Sequence, residues 1–144
     1  MLLLSFRKAH LPIIHVKHDS STLTSPFHPS HTGNELEDYA KPLTTNNEPL
    51  LHKSVNSAFI GTDLEKRLRE QGTLSLVIVG LTTNHCCETT TRMAGNLGFR
   101  CILCTTIKAN EVHFNTLASF NEEFTTIVAT KQILDTIATL SYIF

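Results

Sequence analysis

The chain has 144 residues, of which 41% are hydrophobic and 17% are charged, and its formal net charge is −1. This length and composition predict one domain with a real core, and the small net charge argues against nucleic acids and other polyanions as partners. No apolar run approaches the roughly 18 residues of a membrane span, so no membrane association is expected.

The first third of the chain predicts a helix, a strand and a long loop. Residues 1–9 have the pattern of the end of a helix. Residues 12–18, Pro-Ile-Ile-His-Val-Lys-His, indicate a strand with proline at its first position, where it is tolerated. Residues 19–48 are mostly polar and contain three prolines. A connection of this length in a compact domain is usually functional or disordered.

A short strand and a helix are predicted after the loop. Residues 50–53, Leu-Leu-His-Lys, indicate a strand that ends in Lys53. Thr62 and Glu65 have the spacing of a capping box, so a helix is predicted from there to Gly72. Because most lysines are solvated, this pattern alone gives Lys53 no chemical role.

Residues 74–99, LSLVIVGLTTNHCCETTTRMAGNLGF, are the most informative stretch. Their first six residues are mostly apolar, which predicts a strand buried on both faces of a parallel sheet. Gly80 breaks the run, and a turn of small polar residues leads to Cys86 in the expected first turn of a helix. The helix continues at helical spacing to Leu97, and Gly98 is well placed to end it.

Cys86 lies where the chemistry of a helix N-terminus is expected. Unpaired N–H groups and the positive end of the helix dipole converge there, and this environment favours the thiolate form of a cysteine. The same N–H groups can stabilise an oxyanion. From spacing alone, a small buried cysteine without a chemical role is an equally supported interpretation.

Two phrases of the sequence resemble one enzyme family. The segment VGLTTNHCCETTTRMAGNLGF closely resembles the nucleophile segment of the isochorismatase-like cysteine hydrolases, with Cys87 in place of the usual valine. The segment KSVNSAFIGTDL, which begins at Lys53, is similar to the family phrase that starts with the catalytic lysine. This family includes nicotinamidases, carbamoylsarcosine amidases and ureidoacrylate amidases. The resemblance extends from about residue 1 to residue 140.

The resemblance implies a reaction and the residues that carry it. Cys86 would be the nucleophile, Lys53 would stabilise its thiolate, and the backbone N–H groups of Thr82 and Cys86 would form the oxyanion hole. The peptide bond between Leu81 and Thr82 would be cis. The implied reaction is hydrolysis of a small amide-type C–N bond through a cysteine thioester, since the isochorismatases that cleave a vinyl ether lack the cysteine.

The remaining residues complete an alternating pattern of strands and helices. Residues 100–105 and 124–129 indicate strands, residues 114–120 a short helix, and residues 130–140 a final helix. No internal repeat or second domain is evident, so an α/β fold with a mostly parallel sheet is predicted. The resemblance implies three layers and six strands in the order 3-2-1-4-5-6.

One strand of the family pattern has no counterpart in this sequence. The family's first strand carries its catalytic aspartate, and nothing before Pro12 fits it. Residues 1–144 are therefore expected to form a single, N-terminally truncated domain with two open sheet edges, and a homo-oligomer is left open. Asp19 is a weak candidate for the missing base. The alternatives to an active enzyme are a catalytically dead homologue that acts as a subunit or binding partner, and a fragment of a longer enzyme.

No metal and no cofactor are expected. Cys101 and Cys104 form a lone CxxC in an apolar run, which favours buried strand cysteines. Where some nicotinamidases have an Asp-x-His metal pattern, this chain reads His-Asp-Ser, although four histidines lie nearby: His15, His18, His28 and His31. The expected partner is a small-molecule substrate. The cysteine usage and the lack of a signal-peptide pattern favour a reducing, cytoplasmic location.

Overall fold

The computed structural model describes residues 2–44, 47–105 and 126–140. The α-helices and strands of these residues are, in chain order, α1 (Leu2–Lys8), β1 (His15–His18), β2 (Leu50–Lys53), α2 (Leu64–Glu70), β3 (Ser75–Ile78), α3 (Glu88–Asn96), β4 (Arg100–Thr105), β5 (Thr126–Ala129) and α4 (Thr130–Leu140). The helix predicted over residues 114–120 lies outside the described residues. No described helix is long and apolar enough to cross a membrane.

All pairings between the described strands are parallel. β1 pairs with β2, from His15 opposite Leu50 to His18 opposite Lys53. In a second sheet, β4 lies between β3 and β5. The α/β class with a parallel sheet is therefore confirmed. The order β2-β1 and β3-β4-β5 is the predicted one, with no strand between β1 and β3 among the described residues.

Side chains of β4 belong to two different cores. Successive side chains of a strand point to opposite faces, and Cys101 packs in a cluster with Leu68 of α2 and Ala94 of α3. Cys104 packs in a second cluster with Leu2 of α1 and Ile137 of α4. The two cysteines are only 4% and 5% exposed, so their prediction as buried strand cysteines is confirmed.

A cleft of about 500 Å³ is lined by residues of both sheets, from β1 and β2 on one side and β3 on the other. β3 was expected to be buried on both faces, and this expectation is wrong. Ser75 is exposed, the other three residues of β3 are only partly buried, and Leu74 and Val79, which flank the strand, are 70% and 52% exposed. The physical reason is that β3 lies along the cleft, with a strand partner on one side only among the described residues.

The capping box predicted before α2 is also wrong. The residue before the helix is Asp63, and its side chain makes no capping hydrogen bond. The Thr62 hydroxyl accepts a hydrogen bond from the Leu64 N–H group at 3.2 Å and donates one to the Ala58 carbonyl. The carboxylate of Glu65 accepts instead from Arg69, one helical turn further on, at 3.2 Å.

A buried carboxylate joins α1, β1 and the long loop. Glu48 accepts two hydrogen bonds from the Arg7 guanidinium, at 2.8 and 2.7 Å, one from the Leu43 N–H group at 3.0 Å, and lies 2.9 Å from His15 Nε2. These contacts, led by the hydrogen bonds from Arg7, hold the pKa of Glu48 far below its ordinary value. We call Arg7, His15 and Glu48 the Glu48 cluster.

Candidate active site

The last residue of β2 and the turn before α3 bring Lys53 and Cys86 together. Lys53 Nζ lies 3.1 Å from Cys86 Sγ, at the cleft that both residues line. Lys53 is only 6% exposed, and Nζ also donates to the Val55 carbonyl at 2.9 Å. Parallel strands end at the same edge of a sheet, which is where ligands bind in open α/β folds. The buried ammonium is thus placed beside the thiol.

The turn that carries Cys86 has a special backbone. Gly80 has a φ of +155°, in the region that favours glycine, and the peptide bond between Leu81 and Thr82 is cis. Cys86 was expected in the first turn of an α-helix. It lies instead in a π-helical turn, Thr83–Cys87, that runs directly into α3.

A buried hydrogen bond fixes the segment after Lys53 against α3. The Ala58 N–H group donates to the Thr90 hydroxyl at 3.0 Å, and both residues are buried. A buried backbone N–H group needs such a partner, because leaving it unpaired costs about 1–3 kcal/mol. The contact therefore keeps the two motifs of the sequence, which are more than 30 residues apart, at a fixed separation.

The four free cysteines differ in their surroundings. Burial, followed by the neighbouring Cys86, raises the pKa of Cys87 to about 11, and burial raises that of Cys101 to about 11. Both are therefore thiols at neutral pH. Cys86 is partly exposed and lies at the cleft beside Lys53, whereas Cys87, Cys101 and Cys104 are buried. The structure thus distinguishes Cys86 as the accessible thiol.

His18 is a member of the site that the sequence did not indicate. It ends β1, lines the cleft, and places Nδ1 3.4 Å from Lys53 Nζ. The sequence offered His18 only as one of several histidines near a metal position. The available signal was the pairing of two short parallel strands that end in His18 and Lys53.

Asp19 does not reach this site. Its carboxylate lies 2.6 Å from His52 Nδ1 and 3.1 Å from Asn34 Nδ2, and Asp19 is not among the residues that line the cleft. Although partial burial acts to raise it, the hydrogen bonds with His52 and Asn34 leave the pKa of Asp19 below its ordinary value. The structure therefore gives no support to Asp19 as a base beside Cys86. No aspartate or glutamate lies among the described cleft residues.

The histidines considered for a metal are used separately. His15 contacts Glu48, His28 contacts the Ser30 hydroxyl at 2.8 Å, and His31 contacts the Leu23 carbonyl at 2.9 Å. Within residues 2–44, 47–105 and 126–140, no three His, Cys, Asp or Glu side chains converge on a point that could hold a metal ion.

Comparisons with known proteins agree on one family. The model of the Isochorismatase domain matches residues 1–132. The sequence is 37% identical to the uncharacterised isochorismatase family protein YrdC of Bacillus subtilis, over 90% of this chain and 76% of that protein. A crystal structure of an isochorismatase-family protein from Chromobacterium violaceum superimposes with a TM-score of 0.86 at 36% identity, covering 96% of this chain and 78% of that one. Nicotinamidase 3 of Arabidopsis thaliana is 33% identical over 64% of this chain and 42% of its own length.

Proposed function

Because this chain belongs to the isochorismatase family, we propose that it hydrolyses a small amide-type C–N bond with Cys86 as its nucleophile. The observation that carries the proposal is the 3.1 Å contact between Lys53 Nζ and Cys86 Sγ at the cleft. A cation at this distance favours the thiolate, which is the nucleophilic form of cysteine. Nicotinamidase 3, a relative by sequence, is named for an amide substrate.

The proposed reaction has two halves. The Cys86 sulfur attacks the carbonyl carbon of the amide, and the resulting oxyanion is stabilised by the backbone N–H groups of Thr82 and Cys86. Collapse of this intermediate breaks the C–N bond, releases the amine and leaves a thioester. Water then attacks the thioester, releases the acid and restores the thiol.

The cleft also supplies the argument for a second candidate, a catalytically inactive subunit or binding partner. No carboxylate lies among the described residues that line the cleft, and acid–base groups typically contribute roughly 10²–10⁴-fold to such reactions. A chain without any proton acceptor near Cys86 would bind a small molecule but turn it over slowly. The two candidates are distinguished by turnover.

A panel of small amides, with nicotinamide included, tests the proposal through ammonia or amine release. We expect turnover that Cys86→Ala abolishes, together with a quenched acyl-enzyme whose added mass maps to the Cys86 peptide. Cys104→Ala is the matched control, since Cys104 is buried in the α1–α4 cluster. Turnover that survives in the Cys86→Ala variant would contradict the proposal.

Thiol labelling gives an independent check. Brief treatment with iodoacetamide near neutral pH should label Cys86 before Cys87, Cys101 or Cys104, because Cys86 alone combines access with a neighbouring ammonium. Preferential labelling of Cys101 or Cys104 would contradict the assignment.

Four free cysteines also fit a reducing compartment, and we propose a cytoplasmic location on that ground.

A further inference from the structure

We propose that His18 takes the proton that Cys86 loses during attack, with Lys53 as the bridge between the two side chains. The chemical step rests on the proposed hydrolase function. The coupling of His18 to Cys86 is a property of the folded chain, and it can be measured without a substrate.

The geometry centres on the Lys53 ammonium. Its three hydrogens have three neighbours, which are Cys86 Sγ at 3.1 Å, the Val55 carbonyl at 2.9 Å and His18 Nδ1 at 3.4 Å. His18 and Lys53 are opposite each other in the parallel pairing of β1 with β2. The register of the sheet therefore holds the imidazole and the ammonium side by side.

His18 is suited to accept a proton at neutral pH. Burial and the positive charge of Lys53 lower the pKa of His18, while Asp19 and the Val55 carbonyl act in the opposite direction without reversing the shift. The ring is therefore neutral and can accept a hydrogen bond from Lys53. From the long loop, the ring of Phe27 makes a T-shaped contact with the His18 ring, with 6.1 Å between centroids.

Among the described residues, the other acid–base groups are engaged or do not line the cleft, and His85, which precedes Cys86, is exposed and lies outside the cleft lining. The Asp19 carboxylate is held by His52 and Asn34. Cys87 remains protonated at neutral pH because burial raises its pKa to about 11. Since no aspartate or glutamate lies among the described cleft residues, His18 is the acceptor that the site offers.

The proton transfers balance over one cycle. Lys53 first gives one of its protons to His18 Nδ1, which frees a lone pair on Nζ, and this amine then takes the proton of the Cys86 thiol as the sulfur–carbon bond forms. When the C–N bond breaks, that proton returns through Lys53 to the leaving nitrogen. In the second half, water gives a proton to His18 while its oxygen attacks the thioester, and the same proton finally restores the thiol. Lys53 carries a positive charge before and after each step.

The test compares iodoacetamide labelling of Cys86 across pH in the wild-type chain, His18→Gln and the control His52→Gln. His52 is half exposed and its ring contacts Asp19 outside the cleft. At about pH 6 we expect labelling to be about tenfold slower in His18→Gln, equivalent to a shift of about one pH unit. The rates should converge in alkaline solution, where hydroxide removes the proton. His52→Gln should follow the wild type.

A second measurement needs no variant. The imidazole N–H signals of His18 and His52 are titrated by NMR before and after Cys86 is alkylated. Alkylation removes the thiol that exchanges a proton with His18, so no thiolate can form beside the imidazolium. The titration midpoint of His18 should therefore fall, because a neighbouring anion favours the imidazolium, and that of His52 should stay in place. Coincident labelling profiles for wild type and His18→Gln, or an unchanged His18 midpoint after alkylation, would overturn the proposal.

The outcomes separate this proposal from the hydrolase function. If labelling depends on His18 and no amide is hydrolysed, the proton coupling stands and the proposed function fails. If amides are hydrolysed and labelling is independent of His18, the proposal for His18 fails. Where turnover is found, His18→Gln should lower kcat by roughly 10²–10⁴-fold near neutral pH with KM little changed.

Discussion

The two ends of β1 carry two polar clusters of opposite design. At the start of the strand, His15 lies beside a buried Glu48 that is fully paired with the Arg7 guanidinium. At the end of the strand, His18 lies beside a buried Lys53 that has no carboxylate partner among the described residues and faces a thiol instead. The comparison teaches that a buried charge with its opposite charge in place makes the fold depend on both partners, because removing one leaves the other unpaired. A buried charge that faces a reactive group is available for chemistry.

The largest expected effect comes from removing the ammonium at the second cluster. Lys53→Met should lower turnover by roughly 10²–10⁴-fold and slow the labelling of Cys86 at neutral pH, because the thiolate loses its neighbouring cation. Lys66→Met is the control, since Lys66 is exposed on α2. If Cys86 were labelled at the wild-type rate in Lys53→Met, Lys53 would not activate Cys86, and the second cluster would have no chemical role.

A substitution in the Glu48 cluster should change the stability of the fold and leave the reactivity of Cys86 unchanged. Glu48→Gln keeps the shape of the side chain but puts an NH2 donor in place of one of the two buried oxygens that accept hydrogen bonds from Arg7, which should cost about 1–3 kcal/mol in the free energy of unfolding. Urea titration of the wild type, Glu48→Gln and the control Glu65→Gln, whose side chain is 44% exposed, measures this loss. Equal stabilities of Glu48→Gln and the wild type would show that the cluster does not hold α1 to β1.

The two main residues of the second cluster could be predicted from the sequence, because the segment that begins at Lys53 and the segment that contains Cys86 are each contiguous in the chain. Lys53 and Cys86 were predicted by resemblance, and the structure places them in contact. The parallel order of the strands was also correct. Local pattern does carry such information, since strand alternation and glycine breaks are set by neighbouring residues.

Contacts between distant segments were not accessible in the same way. His18 reaches Lys53 only through the register of β1 and β2, and Glu48 reaches Arg7 across 41 residues. Burial of β3 was overestimated because an apolar run cannot reveal that a strand borders a cleft. The expectation that open edges promote self-association stays a prediction, and size-exclusion chromatography at several concentrations tests it.

Acid should weaken the first cluster in a defined direction. The pKa of Glu48 is lowered in the folded state from an ordinary value of 4.5, so its contribution is fully present above about pH 4.5 and is lost as the pH falls towards the folded value. Stability curves of the wild type and Glu48→Gln should therefore converge in acid. Asp19 and Asp63 also have lowered pKa values, but both chains retain them, so the difference between the curves reports Glu48. Parallel curves down to strong acid would contradict this assignment.

The smallest expected effect gives the sharpest comparison, since it sets the substitution of one histidine of β1 against the same substitution of the other. His15 Nε2 lies 2.9 Å from a carboxylate oxygen of Glu48, which still has Arg7 and the Leu43 N–H group as partners. His15→Gln should therefore cost only about 0.5–1.5 kcal/mol, the net worth of one hydrogen bond, and leave the pH profile of Cys86 labelling unchanged.

His18→Gln should show the reverse, with a displaced pH profile of Cys86 labelling. Urea titration and labelling of both variants, with the partly exposed His28 changed to Gln as a control outside the cleft, measure the contrast. If His15→Gln displaced the profile as far as His18→Gln, the two ends of β1 would be coupled and the separation of stability from chemistry along this strand would be wrong.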